Sequence, residues 1–245
     1  MAHGFTQTCR VWGALDTALA SDHRVASVDM PGHGGSAEVR ASLVRGAELL
    51  AAVGGRSTYL GYSMGARFCL HLALARPELV ERLVLISGTA GIEDGDQRRQ
   101  RRRDDDALAD QLDPPAGTSG EAVPVATFIR RWLDGPLFAG ISPEAGGFDR
   151  RITNTGPGLA SSLRLAGTGT QDPQWGALGT LAMPVLIISG GDDQKFTALG
   201  RRMAETIGAN AAHVVVAGTG HAPHLQRPEE VARLIRSHRA PPSRG

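Results

Sequence analysis

Cysteine is scarce: only Cys9 and Cys69 occur in 245 residues. Cys69 falls inside a helical apolar pattern, so no disulfide framework is expected and a reducing, cytoplasmic setting is. Lysine is scarcer still, because Lys195 is the only one and the remaining basic side chains are arginines. No stretch approaches the roughly 18 consecutive apolar residues of a membrane span, and Met1-Ala2-His3-Gly4 has neither the charged nor the apolar region of a signal peptide. A formal net charge of +1 gives no general pull towards nucleic acid or a membrane surface, so any electrostatic recognition must come from local clusters.

What is present suits one α/β domain with an insertion, since 245 residues can bury a full core. A helical pattern runs through Trp12, Leu15 and Leu19, and Arg24 to Asp29 reads as a buried strand closed by the loop Met30-Pro31-Gly32-His33-Gly34-Gly35-Ser36. An amphipathic helix follows over 43–53, then a strand before Ser63, a helix to about Ala75 stopped by Pro77, and a buried strand at 83–87. Strands alternating with helices predict a mostly parallel sheet with helices on both faces. From 91 to 171 the pattern turns helical, with a Pro- and Gly-bearing loop from Asp113 to Gly120, and strand character resumes at Val185 and again at His213. The expected division is therefore 1–90 as the first part of the core, 91–171 as a helical lid and 172–245 as the second part, closed by a helix over 229–238.

The chemistry centres on Gly61-Tyr62-Ser63-Met64-Gly65. Between a strand and a helix this G-x-S-x-G reads as a nucleophile elbow, a strained turn that exposes the serine hydroxyl at a helix N-terminus. Such a serine needs an imidazole to take its proton and a carboxylate to orient the imidazole. Asp192 or Asp193, after the strand at 185–188, and His221, after the strand at 213–216, supply them in the chain order Ser, acid, His. The N–H groups of Phe5 and Met64 are the expected oxyanion hole. His33, His71, His213, His224 and His238 lack such a context and read mostly as surface or loop residues, His224 being near enough to His221 to line the site.

With these motifs in hand, the chain resembles the 2-succinyl-6-hydroxy-2,4-cyclohexadiene-1-carboxylate synthases of menaquinone biosynthesis, members of the α/β-hydrolase superfamily. The resemblance covers nearly the whole chain and rests on His3-Gly4-Phe5, Asp29 to Gly34, Gly61 to Arg67, Ser189 to Phe196 and Gly220-His221. It implies an α/β-hydrolase fold with a helical lid insertion, and a cofactor-independent, metal-free lyase acting on a small polyanionic substrate. It implies Ser63, Asp193 and His221 as the catalytic residues, with Ser63 as a base that removes a ring proton and expels pyruvate. Arginines clamp carboxylates well because the guanidinium stays charged and can bind bidentately. By resemblance the clamps are Arg67, Arg101 and Arg151, Arg150 being able to replace the last, with Tyr62 and Trp132 as pocket residues. The same triad could serve a serine hydrolase acting on a small ester or a carbon-carbon bond, and an α/β-hydrolase-like binding protein is a third reading. In this fold a central strand precedes His-Gly-Phe, whereas only Met1 and Ala2 do here. The N-terminal strands are thus expected to be missing from this chain through a misplaced start or fragmentation, so that the segments bearing Asp29 and Ser63 pair directly or leave a gap.

Overall fold

The computed structural model describes residues 1–118 and 120–238. Ser119 of the loop at 113–120 and residues 239–245 of the second core part lie outside the described residues. Four strands, β1 (Ser57–Tyr62), β2 (Val80–Ile86), β3 (Val185–Gly190) and β4 (Ala211–Val216), pair side by side in that order and all in parallel. Leu60 aligns with Val84, Val84 with Leu186 and Ile188 with Val214. A parallel sheet covered on both faces needs strands that are apolar throughout, and Leu-Val-Leu-Ile at 83–86 and Val-Leu-Ile-Ile at 185–188 satisfy this.

Alternation then sends neighbouring residues to opposite faces. Leu83, Leu85, Val185 and Ile187 pack on the side of α2 (Leu43–Gly54), α3 (Met64–Ala75) and α9 (Gln194–Ile207). Val84, Ile86, Leu186 and Ile188 pack on the side of α1 (Gly13–Leu19) and α11 (Pro228–Ser237). In α2 the spacing of Leu43, Ala47, Leu50 and Ala51 gives the stripe that is buried, and the Ser42 hydroxyl caps its start by accepting from Arg45 N–H at 3.3 Å.

Between β2 and β3 the described residues form helices and no strand: α4 (Gly95–Leu112), α5 (Val125–Leu133), the short α6 (Pro143–Gly146) and α7 (Phe148–Arg151), and α8 (Gly156–Ala166). Ala109, Leu112, Phe128, Ile129, Leu159 and Leu163 give this segment its own apolar cluster. No helix among the described residues is long and apolar enough to cross a membrane.

The amino-terminal region differs from the sequence expectation. Residues 24–29 are extended but form no strand, and Arg24 and Ala26 are exposed. Their described backbone pairing is at Val28, which bridges Ala2, and at Ala26, whose carbonyl accepts from the Met1 amine. Ala2 lies between Val28 and Gly61 and bridges both in parallel. Its N–H donates to Leu60 O at 2.8 Å, its carbonyl accepts from Tyr62 N–H at 3.0 Å, and Met1 O accepts from Val28 N–H at 3.1 Å. The segments bearing Asp29 and Ser63 therefore neither pair directly nor part completely, since a two-residue stub fills the slot at its carboxyl end. Towards the other end they border a groove of about 640 Å³.

Candidate active site

Ser63 stands between the end of β1 and the start of α3, with φ 51° and ψ −106°. A non-glycine residue holds that conformation only where the surroundings impose it. A Cβ on Gly61 would come 2.4 Å from Gly65 O, and one on Gly65 would come 1.9 Å from Ala2 O. Both glycines are thus required by close backbone approach, and the elbow is wedged against the amino-terminal stub.

The other two residues arrive from β3 and β4. Asp193 caps α9, its Oδ1 accepting from Phe196 N–H at 3.2 Å, while its Oδ2 lies 2.7 Å from His221 Nδ1. A carboxylate can only accept, so Nδ1 carries the imidazole hydrogen. That leaves Nε2, 3.1 Å from Ser63 Oγ, free to take the hydroxyl proton. Asp192 takes no such part; its N–H donates to Thr219 O and its side chain is exposed. His221 is 1% exposed and packs against the Phe196 ring at 4.4 Å.

Ser63 and His221 open on a cavity of about 150 Å³ whose wall also includes Phe5 and Met64. Met64 is the first residue of α3, where N–H groups have no intrahelical acceptor. Arg67, Arg101 and Trp132 line the same space. Arg67 is 6% exposed, and its Nη1 donates to Ala166 O at 2.8 Å. Burial, followed by the nearby Arg101, lowers its pKa to about 10, which leaves it cationic at neutral pH. Among the described residues it has no ion-pair partner. Arg101 is differently placed: its Nε donates at 2.8 Å to Asp105, a buried carboxylate that also accepts from Gly169 N–H. Its charge is largely matched within α4. Of the neighbouring arginines, Arg99 pairs with Asp96 on the exposed face of that helix.

Tyr62 and Arg151 are not in the cavity wall. Tyr62 points to the opposite side of the sheet, its ring 5.5 Å from that of His221 and 4.2 Å from that of His224, with its hydroxyl lacking a hydrogen-bond partner among the described residues. Burial pushes the phenol pKa well up. Arg151, 1% exposed, donates through Nε to Gly146 O at 2.7 Å and through Nη1 to Phe5 O at 3.2 Å and to Thr6 Oγ1. Its Nη2 has no hydrogen-bond partner among the described residues. Arg150 is exposed and donates to Arg10 O.

Two of the histidines read as surface or loop residues are buried, and His224, read as near enough to His221 to line the site, is not in the cavity wall. His33 is 0% exposed, with Nδ1 donating to Pro31 O at 3.0 Å and Nε2 accepting from Thr6 N–H at 3.2 Å. His224 is 1% exposed beneath Tyr62 and Trp12. Glycine- and proline-rich surroundings gave no periodic pattern from which their burial could be read. Lys195, noted in the sequence as the only lysine and as part of the run Ser189 to Phe196, lies in the same cavity wall and is exposed. Its position two residues after Asp193 was the available signal. No group of three or more His, Cys, Asp or Glu among the described residues could hold a metal ion.

Comparison with known proteins gives a consistent relationship. The model of the alpha/beta hydrolase family matches residues 1–234. A Bacillus subtilis (strain 168) protein provisionally named 2-succinyl-6-hydroxy-2,4-cyclohexadiene-1-carboxylate synthase is 30% identical over 95% of this chain and 86% of its own length. The synthase of that name from Serratia proteamaculans (strain 568) is 28% identical over 86% of this chain and 81% of its own. Among solved structures, that of MenH from S. aureus superposes with a TM-score of 0.87 at 27% identity, covering 97% of this chain and 91% of that one.

Proposed function

The chain belongs to the alpha/beta hydrolase family, and from that premise we propose that it is a 2-succinyl-6-hydroxy-2,4-cyclohexadiene-1-carboxylate synthase, the activity for which its relatives are named. The reaction removes pyruvate from 2-succinyl-5-enolpyruvyl-6-hydroxy-3-cyclohexene-1-carboxylate. The substrate carries carboxylates on the ring, on the succinyl chain and on the enolpyruvyl ether, so it is a small polyanion. The observation that carries the reading is Arg67, a buried cation without an ion-pair partner among the described residues, opening on the same cavity as Ser63. Such a charge favours an anionic ligand, and a guanidinium can grip a carboxylate with two N–H groups.

The mechanism follows from the site's order. His221, held by Asp193, takes the Ser63 proton, and the Ser63 alkoxide removes the proton from the ring carbon bearing the succinyl ketone. Charge passes to the ketone oxygen, where the N–H groups of Phe5 and Met64 receive it. The electron pair then moves through the ring double bond, the carbon–oxygen bond to the enolpyruvyl group breaks, and enolpyruvate leaves to become pyruvate.

Arg67 and Arg101 face the substrate carboxylates, Lys195 adds a third positive charge, and Trp132 supplies an apolar wall. Tyr62 and Arg151, which lie outside the cavity wall, are left out of the proposed substrate contacts. The helices over 91–171 act as the lid that encloses it. A cytoplasmic location fits the two unpaired cysteines, Cys9 and Cys69.

The test is incubation with the enolpyruvyl substrate, following pyruvate and the absorbance of the new diene together. Both rise with the parent protein and neither with Ser63→Ala; a folded preparation that releases no pyruvate defeats the proposal. Turnover of p-nitrophenyl esters in its absence would favour the hydrolase reading, since a Ser-His-Asp arrangement serves acyl transfer equally well.

A further inference from the structure

Thr6 adopts φ 67°, a left-handed conformation that a β-branched residue avoids. Something must hold it there, and no strand does, since the amino-terminal stub has already left the sheet. The restraints are side chains from distant parts of the chain. Thr6 N–H donates to His33 Nε2 at 3.2 Å, and Thr6 O accepts from Asn154 Nδ2 at 2.7 Å. The preceding carbonyl, Phe5 O, accepts from Arg151 at 3.2 Å.

Asn154 joins these restraints. It is 5% exposed and lies outside the cavity wall. Besides Thr6 O, its Nδ2 donates to Arg151 O at 2.9 Å, and its Oδ1 accepts from Gly34 N–H at 2.8 Å. One amide therefore fastens three pieces that the sheet does not unite: the segment at residues 3–6, the loop after Asp29 and the turn between α7 and α8 of the helical insertion. An amide suits this task because it donates twice and accepts at once, which neither a carboxylate nor an apolar group of the same size can do.

We propose that Asn154 is a positioning residue that sets the direction of the Phe5 N–H, and through it the oxyanion-binding half of the site. Its bond to Thr6 O fixes the Thr6–Gln7 peptide and so restrains the backbone just beyond Phe5, its bond to Arg151 O steadies the residue whose guanidinium holds Phe5 O, and its bond from Gly34 anchors both to the loop carrying His33. Asn154 thereby ties the helical insertion to the segment that carries the Phe5 N–H. The inference rests on the reading of Ser63 as the reactive group with the Phe5 N–H as its oxyanion donor.

Asn154→Asp tests it, because the variant keeps size and the acceptor for Gly34 N–H but loses both donors; Asn154→Ala serves as the second variant. The expected result is a kcat for pyruvate release roughly 10- to 100-fold lower, somewhat below the loss from deleting an oxyanion donor outright. KM should stay within about threefold, because substrate carboxylates are gripped elsewhere. Covalent labelling of Ser63 by a fluorophosphonate should slow by a similar factor, since that reaction also builds charge in the oxyanion hole. Labelling and kcat within about twofold of the parent in either folded variant overturn the inference. So does a loss that disappears when the assay is cooled well below the variant's melting temperature, which would mark Asn154 as structural only. The labelling comparison does not depend on the native substrate. Absence of pyruvate release from the parent would defeat the proposed activity and leave the labelling rates to decide the role of Asn154.

Discussion

The two sides of the cavity are built by different means. Ser63, Asp193 and His221 follow the ends of β1, β3 and β4, which belong to one continuous parallel sheet. Phe5, facing them, follows a stub of two residues and is held through His33, Arg151 and Asn154. Backbone ladders tolerate side-chain change, whereas a loop tied by side chains depends on each of them. The proton-transferring half should therefore fail only when a reacting group is removed, and the oxyanion half should respond to groups well outside the cavity.

Removal of a reacting group gives the largest effect. Ser63→Ala and His221→Ala should each lower kcat by roughly 10⁴-fold or more with little change in melting temperature, and the double variant should be no worse than either single one. Additive losses would mean that the two residues do not act as a unit.

Acid should act mainly on the other half. Burial lowers the pKa of His3 to about 3 and of His33 to about 4, and these two rings lie 5.1 Å apart beside Phe5. Histidine in the unfolded chain takes up its proton near pH 6.5, so between there and about pH 4 the unfolded state binds more protons and stability falls as pH falls. Each of these histidines contributes up to ~1.4 kcal/mol per pH unit over that window. His224, lowered to about 3 by burial and by the neighbouring His221 and Arg151, adds a similar term from beneath Tyr62. Chemical denaturation at stepped pH measures the slope, and hydrogen exchange should show residues 3–6 opening before β1. Simultaneous loss of protection in both would erase the distinction between the halves.

Gly65→Ala probes the contact where they meet. Its Cβ would lie 1.9 Å from Ala2 O, so either the stub or the elbow must move. A cost of about 3 kcal/mol is expected, or a melting temperature lower by roughly 6–12 °C for a chain of this size. The smallest effect is Arg67→Gln, which should raise KM roughly 10-fold while Arg99→Gln, already paired with Asp96 in solvent, leaves it unchanged. Equal effects of the two on KM would remove Arg67 from the binding role.

Much of the sheet could be read from the sequence because its signals are local: apolar runs at 83–86 and 185–188, glycines bracketing Ser63, and Pro77 after α3. Arg67 was legible for the same reason, one helical turn beyond Ser63. Tyr62 shows where a local rule was available but unused, since alternation along β1 places it with Leu60 on the face away from α3. Arg101 does line the cavity, but its pairing with Asp105 four residues later is hidden in the sequence among the three consecutive acids at 104–106. The role of Asn154 and the burial of His33 depend on partners 148 and 27 residues away. No periodicity encodes such pairings. The segment at 24–29 reads as a strand by composition, yet composition cannot supply the neighbour against which a ladder forms.

Lys195 stands alone as a lysine and is exposed in the cavity wall. Amine-directed chemistry therefore meets a molecule with one accessible side-chain target, set beside the reactive serine. A fluorophore or cross-linker attached there would report on the occupancy of the cavity from within it, and a bound anion should shield the amine from the reagent.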